Sequence, residues 1–333
     1  VPRQTRTLLL LLAGRRPKEH LQLLAMPAGP WDDARWREKD NKWTAGCRWL
    51  QAWWRHEELG LDPGPLSPKN PGRLVASMLP IDAPAGSNFL SAEIVEVVAA
   101  RLDEGNHSGM INVDRLQRNL LSSQPACFNL FGPYVSEPNG LLGWVKTIDS
   151  AAAEVSSVRF EWAPPRESHF GGGSAFDAFV TYLTSVGRDR FLGVEVKYAE
   201  NLAESSIDVR DVYVNFTESS EFWVRGASER LNTARLKQFW LNTLLGQSLA
   251  TRGDRFETGS VVVVAPGADR SARSASGAVR KELVDPNRWL TWSPFEQVLE
   301  HAPTASAVDF RRRYLDFGPV AHLLDDDDPR RCG

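Results

Sequence analysis

Several things are scarce in this sequence, and each scarcity excludes a class of protein. Basic excess is missing: 39 Lys and Arg stand against 42 Asp and Glu, a net charge of −3. That argues against a non-specific polyanion binder and leaves room only for a locally basic groove. Cysteine is scarce too, with Cys47, Cys127 and Cys332 far apart and odd in number. No disulfide framework or metal-ligand spacing follows from them, so a reducing compartment and a cytoplasmic location are expected. The six histidines are scattered, with no pair at helical ligand spacing, which argues against zinc chemistry. Long apolar runs are absent: Leu8–Leu12 has basic flanks but falls far short of the ~20 residues a membrane helix needs. It is also short for a signal-peptide core, has no small-residue cleavage site before Arg15, and is expected to be a short buried helix.

What is present is ordinary globular chemistry. The apolar fraction is 42% and the charged fraction 24% over 333 residues, enough for one large domain or one domain with an added module. Residues 31–54 hold Trp31, Trp36, Trp43, Trp49, Trp53 and Trp54, half of the 12 tryptophans. Arg35, Arg37, Lys39, Lys42 and Arg48 lie between them, and Arg55 follows the last. Interleaved aromatic and basic side chains can stack nucleobases and hold phosphates. Equally, Trp49 and Trp53, one helical turn apart, can be core residues behind a solvated basic face. "GLDPGPLSPKNPGR", residues 60–73, reads as a linker or extended loop. The expected organisation is a mainly helical, Trp-rich extension over 1–80, an α/β domain over 81–320, and a mobile acidic tail over 321–333 that contains Asp325–Asp328.

Within the α/β part, "SAEIVEVVAARL" and "DRLQRNLLSSQPACFNLF" read as helices, the second kinked or divided at Pro125. "VSSVRFEWAPP", "SAFDAFVTYL" and "FLGVEVKYAE" read as three strands, with "SVGRDR" a turn between the last two. "SERLNTARLKQFWLNTLLGQSLATR" reads as one long helix with Ser228 as its cap. "GSVVVVAPGAD" reads as a strand buried on both faces, and "LTWSPFEQVLEHA" as a strand passing into a helix.

The third strand puts Glu195 and Lys197 two apart, hence on one face of an apolar element. Centring the hairpin turn on Gly187 pairs Leu183 with Phe191, Phe179 with Glu195, and Asp177 with Lys197. Asp177 and Glu195 then share that face as diagonal neighbours about 7–8 Å apart. Two carboxylates so placed can converge on one hard cation, Mg²⁺ being the natural choice, beside a lysine able to offset charge developing on a phosphate. The alternative is a cross-strand ion pair of Asp177 with Lys197, leaving Glu195 solvated.

These residues resemble the PD-(D/E)XK nuclease superfamily, which has the restriction-endonuclease fold. "FDAF" matches its aspartate and "EVK" its (D/E)-x-K. "SSQPACFNLFGPY", "RFEWAPP", "SAFDAFVTY" and "GVEVKYAE" resemble a bacterial branch of restriction-endonuclease-like proteins, over about residues 80–300. The proline of the superfamily motif is replaced by Phe176. The resemblance implies an α/β restriction-endonuclease-like core, with a central mixed sheet of four or five strands flanked by helices. It implies Asp177 and Glu195 as metal ligands, Lys197 as base or charge stabiliser, and the Val196 carbonyl as a further ligand. Glu161, on the first strand and turned away from Val158, Phe160 and Trp162, is preferred over Glu154 as an upstream metal ligand, unless it is simply solvated beside Arg159.

Gln238 falls within the apolar stripe of the long helix, with Arg235 and Lys237 beside it. Its amide either meets a catalytic water, phosphate or base, or bonds a sheet-end carbonyl; the two cations are phosphate contacts or merely solvated. The implied function is Mg²⁺-dependent hydrolysis of DNA phosphodiester bonds, with Mn²⁺ able to substitute, in defence against foreign DNA. RNA cleavage and a non-cutting module that binds nucleic acid or a partner are the alternatives. No membrane role is implied, and the resemblance leaves room for a homodimer.

Overall fold

The computed structural model describes residues 40–104, 111–165, 168–170, 174–202, 208–252 and 255–324. Leu8–Leu12, Trp31, Trp36, Arg35, Arg37, Lys39 and Asp325–Asp328 lie outside the described residues. The chain divides into two compact units, one of residues 1–81 with 316–333 and the other of residues 82–315.

In the first unit, Asn41 caps helix α1 (Lys42–Trp53) by accepting from the Thr44 N–H at 2.9 Å. A π-helical turn, Trp54–Glu58, continues it. Trp49 and Leu50 are buried with Val320, and Trp53, Phe317, Leu323 and Leu324 pack around them. Trp43 meets Phe317 edge to face at 5.4 Å. The described tryptophans are thus core residues; Lys42 is exposed as a solvated face would have it, but Arg48 and Arg55 are not. Arg48 is buried in a two-pronged bond to Asp40 at 2.6 and 2.9 Å. Arg55 is fully buried and donates to the Ala76 and Leu61 carbonyls. The Pro/Gly-rich stretch expected to be a loop forms an antiparallel hairpin, β1 (Gly64–Ser67) with β2 (Asn70–Val75). Proline is tolerated there because a two-stranded ribbon leaves half its N–H groups without ladder partners.

The second unit opens with helices α2 (Ala92–Asp103), α3 (Val113–Arg118), α4 (Ser123–Phe131) and α5 (Leu142–Ile148). The segment expected to divide at Pro125 divides earlier, over Asn119–Ser122. Pro125 sits in the first turn of α4, where no intrahelical N–H bond is lost. All nine residues of α4 are buried.

Strands β3 (Ala152–Trp162), β4 (Phe176–Thr184) and β5 (Asp189–Val196) follow. After them come α6 (Asp211–Ser219), α7 (Ala227–Leu231), α8 (Lys237–Arg252) and β6 (Thr258–Ala265). The unit closes with α9 (Arg270–Arg280), α10 (Pro286–Trp289), β7 (Leu290–Pro294), α11 (Phe295–Leu299) and α12 (Thr304–Tyr314). The helix expected from Ser228 onward is two helices, broken at Asn232, and Ser228 is not its cap. Gly226, at φ +76, takes the cap position, and the Ser228 hydroxyl donates to Glu218.

The five strands form one mixed sheet in the order β3-β4-β5-β6-β7. β3–β4–β5 is an antiparallel meander, while β5–β6 and β6–β7 are parallel. The valine run of β6 is buried on both faces, as its continuous apolar character demands. The β4–β5 register is two residues away from the one centred on Gly187: Leu183 pairs with Asp189 and Thr181 with Phe191. The loop is centred on Val186, and Gly187 takes the left-handed position at φ +74. Because the slip is even, every side chain keeps its face.

Gly193 is required by a close approach. A Cβ there would stand 2.4 Å from the ring of Phe176, the residue before Asp177. Gly193→Ala is therefore expected to destabilise the domain by about 1–3 kcal/mol, through overpacking. Urea unfolding checks this; an unchanged midpoint would show that Phe176 is free to move aside.

Candidate active site

Extending the observed register by one residue sets Asp177 directly opposite Glu195 on β5 and opposite Glu161 on β3. The three acids thus occupy one row across three neighbouring strands. At this row the β4–β5 ladder gives way to a side-chain bond, with the Val196 N–H donating to Asp177 Oδ2 at 2.7 Å. The Lys197 N–H bonds the Val264 carbonyl at 2.9 Å, so the parallel β5–β6 ladder runs one residue past the strand and pins Lys197. The row lies at the carboxyl end of β5, before the crossover to β6, which is where open α/β sheets place ligands.

Glu195 is 1% exposed and Lys197 6%. Lys197 Nζ lies 2.6 Å from Glu195 Oε1 and donates to Gln238 Oε1 at 2.8 Å. Asn242 Nδ2 donates to Glu195 Oε2 at 2.5 Å. The pairing on this face is therefore Glu195 with Lys197, not Asp177 with Lys197, and Glu195 is far from solvated. Gln238 Oε1 accepts from Lys197 Nζ, so the amide orients Lys197. Arg235 is exposed and reaches the Ser271 carbonyl at 3.4 Å, and Lys237 is half-buried.

Glu161 breaks the alternation of β3. Its φ of +46 is left-handed, a strained conformation for a residue with a side chain. Phe160 stacks on Phe128 of α4, whereas Trp162 stacks on Phe179 in the cluster that contains α8. Val158, Phe160 and Trp162 therefore do not share one face: the kink at Glu161 turns Trp162 to the other side. Arg101 holds the kink by donating to the Phe160 and Glu161 carbonyls at 2.8 and 2.9 Å. The Glu161 side chain is buried, not solvated, and accepts from Gln124 at 2.6 Å. Glu154 is exposed and pairs with Leu183, seven residues from Glu161 and so about 23 Å along the strand.

Charge is out of balance in this row. Burial, then Glu195 and Glu161, push Asp177 well above the usual carboxylate range against the pull of Lys197 and the Val196 N–H. Burial pushes Glu161 up to about 7, with Gln124 opposing and Glu195 adding. Burial works against the charge on Lys197, but Glu195, Glu200 and Asp177 outweigh it and hold the ammonium above the usual lysine range. Glu200 moves the other way. Its burial is overcome by Lys197, Arg115 and the Ser123 and Tyr198 N–H groups, so it stays ionised.

Three partners in this arrangement escaped the sequence reading: Gln124, Asn242 and Glu200. Asn242 had a signal, since it lies one turn after Gln238 on the same helix face. Glu200 Oε1 accepts from the first N–H of α4, Ser123, at 2.6 Å and from Arg115 at 3.0 Å. No spacing in the sequence links residue 200 to the start of that helix.

A family model described as the PD-(D/E)XK nuclease superfamily matches residues 38–316. The chain belongs to this superfamily. No solved structure and no curated protein matches the chain significantly. Superfamily membership supports a nuclease-type function in general, and its nucleases typically use divalent metals. Among the described residues, no group of three or more His, Cys, Asp or Glu is arranged to hold a metal ion, and no helix is long and apolar enough to cross a membrane. Two acids and their surroundings nonetheless suit a cation. Glu195 raises the proton affinity of Asp177, and Glu195 Oε1 is buried with no aligned hydrogen bond despite the nearby ammonium. Cys47 and Cys127 are buried.

Glu161 ionises near 4.5 unfolded and about 7 folded. Its folded pKa is raised, so below 4.5 it contributes nothing. From there to about 7 the folded state must hold a proton that the unfolded state releases, and stability falls as pH rises. The loss is about 3 kcal/mol and persists above the window. Glu161→Gln, in chelator, is expected to be more stable than the parent above pH ~7 and equal to it below pH ~4.5. Urea melts across pH check this; an advantage independent of pH would contradict it.

Proposed function

We propose that this chain is a Mg²⁺-dependent endonuclease, with Mn²⁺ able to substitute, that hydrolyses DNA phosphodiester bonds in the cytoplasm in defence against foreign DNA. The observation that carries the reading is the single row of Asp177 and Glu195 with a buried ammonium at Lys197, in a chain of this superfamily. Asp177 and Glu195 would hold the cation, with the Val196 carbonyl beside them and Glu161 adding its charge from β3. A divalent cation held there polarises a phosphate and activates water for attack.

The chain's own residues supply the rest. Lys197 donates to one acceptor and lies against another, so it acts as a cation and hydrogen-bond donor toward negative charge developing on the phosphate, not as a base. Asn242 and Gln238 keep the Glu195–Lys197 pair in place from α8. Glu200 adds negative charge near Lys197 while its oxygens are taken by Ser123, Arg115 and Tyr198. Arg235 and Lys237 extend toward the nucleic acid at the start of α8.

Two measurements test the reading. Millimolar Mg²⁺ relieves the repulsion between Asp177 and Glu195 and should raise the melting temperature relative to EDTA, by about 2.7 kcal/mol of stability at a hundred times the dissociation constant. Asp177→Ala should abolish that response. Lys197→Ala should retain DNA binding at low salt and lose about 10²–10³ in cleavage rate. Wild-type protein that binds nucleic acid but cuts neither DNA nor RNA with Mg²⁺ or Mn²⁺ would replace the enzyme with a binding module. Cleavage of RNA alone would change the substrate.

A further inference from the structure

Helix α9 carries an outward face that the described residues leave uncovered. Its sequence, "RSARSASGAVR", contains no acid. At 100° per residue, Arg270, Arg273, Ser274, Gly277 and the following Lys281 fall within an arc of about 100°. Ala272, Ala275, Ser276 and Val279 are buried on the opposite side. Arg270, Arg273, Ser274 and Lys281 are exposed. Among the described residues, Arg270, Arg273 and Lys281 have no salt-bridge partner, whereas Arg280 is engaged by Asn287. The one acid at the helix start, Asp269, is buried and spends its carboxylate on the Ser271 and Ala272 N–H groups. Glu296 borders the preceding loop and accepts from the Gly267 N–H.

The first turn of this helix lies near the candidate active site. Asp269 is close enough to Lys197 and Glu200 for their charges to act on it. Arg235, just before α8, lies over the first turn of α9 through its contact with the Ser271 carbonyl. Three cations without a salt-bridge partner among the described residues, Arg235, Arg270 and Arg273, therefore gather around the first turn of α9, and Arg235 stands three residues from Gln238, which bonds Lys197. Lys281 extends the track by eleven residues, about 16 Å along the helix. Gly277, between them, has open space where a Cβ would stand. Glycine mid-helix costs up to about 1 kcal/mol relative to alanine, and no packing within the described chain calls for it.

We infer that the exposed face of α9 is the track along which the sugar-phosphate backbone of the substrate nucleic acid lies as it passes the active site, with Arg270 and Arg273 contacting phosphates. The inference rests on the nuclease reading and adds the binding surface to it. Charge complementarity selects the occupant: an acid-free row of unpaired cations continuous with a site built for phosphate chemistry.

The test is the salt dependence of binding to a fluorescein-labelled DNA duplex in EDTA, so that no cleavage occurs, measured by anisotropy. For the double variant Arg270→Gln/Arg273→Gln, loss of two phosphate contacts should lower the slope of log K against log salt by about 2. The affinity drop between about 50 and 200 mM salt should then shrink about tenfold. Arg188→Gln, at the β4–β5 hairpin tip away from Asp177 and Glu195, should leave the slope unchanged. Gly277→Glu puts a negative charge mid-track where the fold has room, so binding should weaken while the melting temperature holds or rises. If the wild type binds and the double variant keeps its slope, the track is elsewhere and the nuclease reading survives. A wild type that binds no nucleic acid would remove both.

Discussion

The buried contact between Lys197 and Glu195 constrains everything around it. Removing two charges from water costs several kcal/mol per ion, and their attraction offsets this only when the remaining donors and acceptors are satisfied. Asn242 and Gln238 supply such partners from α8, and the Val264 carbonyl of β6 accepts from the Lys197 N–H. α8 must therefore cross this end of the sheet with residues 238 and 242 facing inward. Its aromatic and leucine side chains, from Phe239 to Leu249, fill the layer between helix and strands. The crossover that joins β5 to β6 is thus both the main packing element and the support of the charged pair.

A second constraint comes from β3. Glu161 is held in a left-handed conformation that costs of order 1–3 kcal/mol, offset by the two Arg101 bonds to the backbone and the Gln124 bond to the side chain. The kink turns Trp162 onto Phe179 and buries the Glu161 carboxyl. Strain and unfavourable charge are concentrated in the same row of three acids. Sites that bind cations and phosphates can carry this arrangement, because the ligand relieves the repulsion the fold maintains.

Arginine has opposite uses in the two units. In the first, Arg48 and Arg55 are buried and satisfied by Asp40, Ser77 and backbone carbonyls, so they hold α1 to the strand-and-turn segment that follows. In the second, Arg270 and Arg273 stand in solvent on a helix without acids. Residue type alone did not distinguish the two. Local partners did: an Asp eight residues before Arg48, and, among the described residues, no salt-bridge partner for Arg270 or Arg273 on the outward face of α9.

The sequence alone determined the strand order from Val155 to Ala265, because alternation, β-branched runs and proline stops are local properties. It also determined that Asp177, Glu195 and Lys197 share a face, since period-2 geometry survives an even slip of register. The slip itself was decided by the hairpin loop, where Gly187 is not the centre, and that brought Asp177 from diagonal to directly opposite Glu195. The split at Asn232, the hairpin at 64–75 and the face of Trp162 were likewise tertiary outcomes. In each, backbone conformation at one or two residues overrode the surrounding pattern. Gln124, Asn242 and Glu200 reach the row from elements 37, 47 and 77 residues from their partners. Hydrogen bonds over such separations are set by how helices pack on the sheet, which no local periodicity encodes.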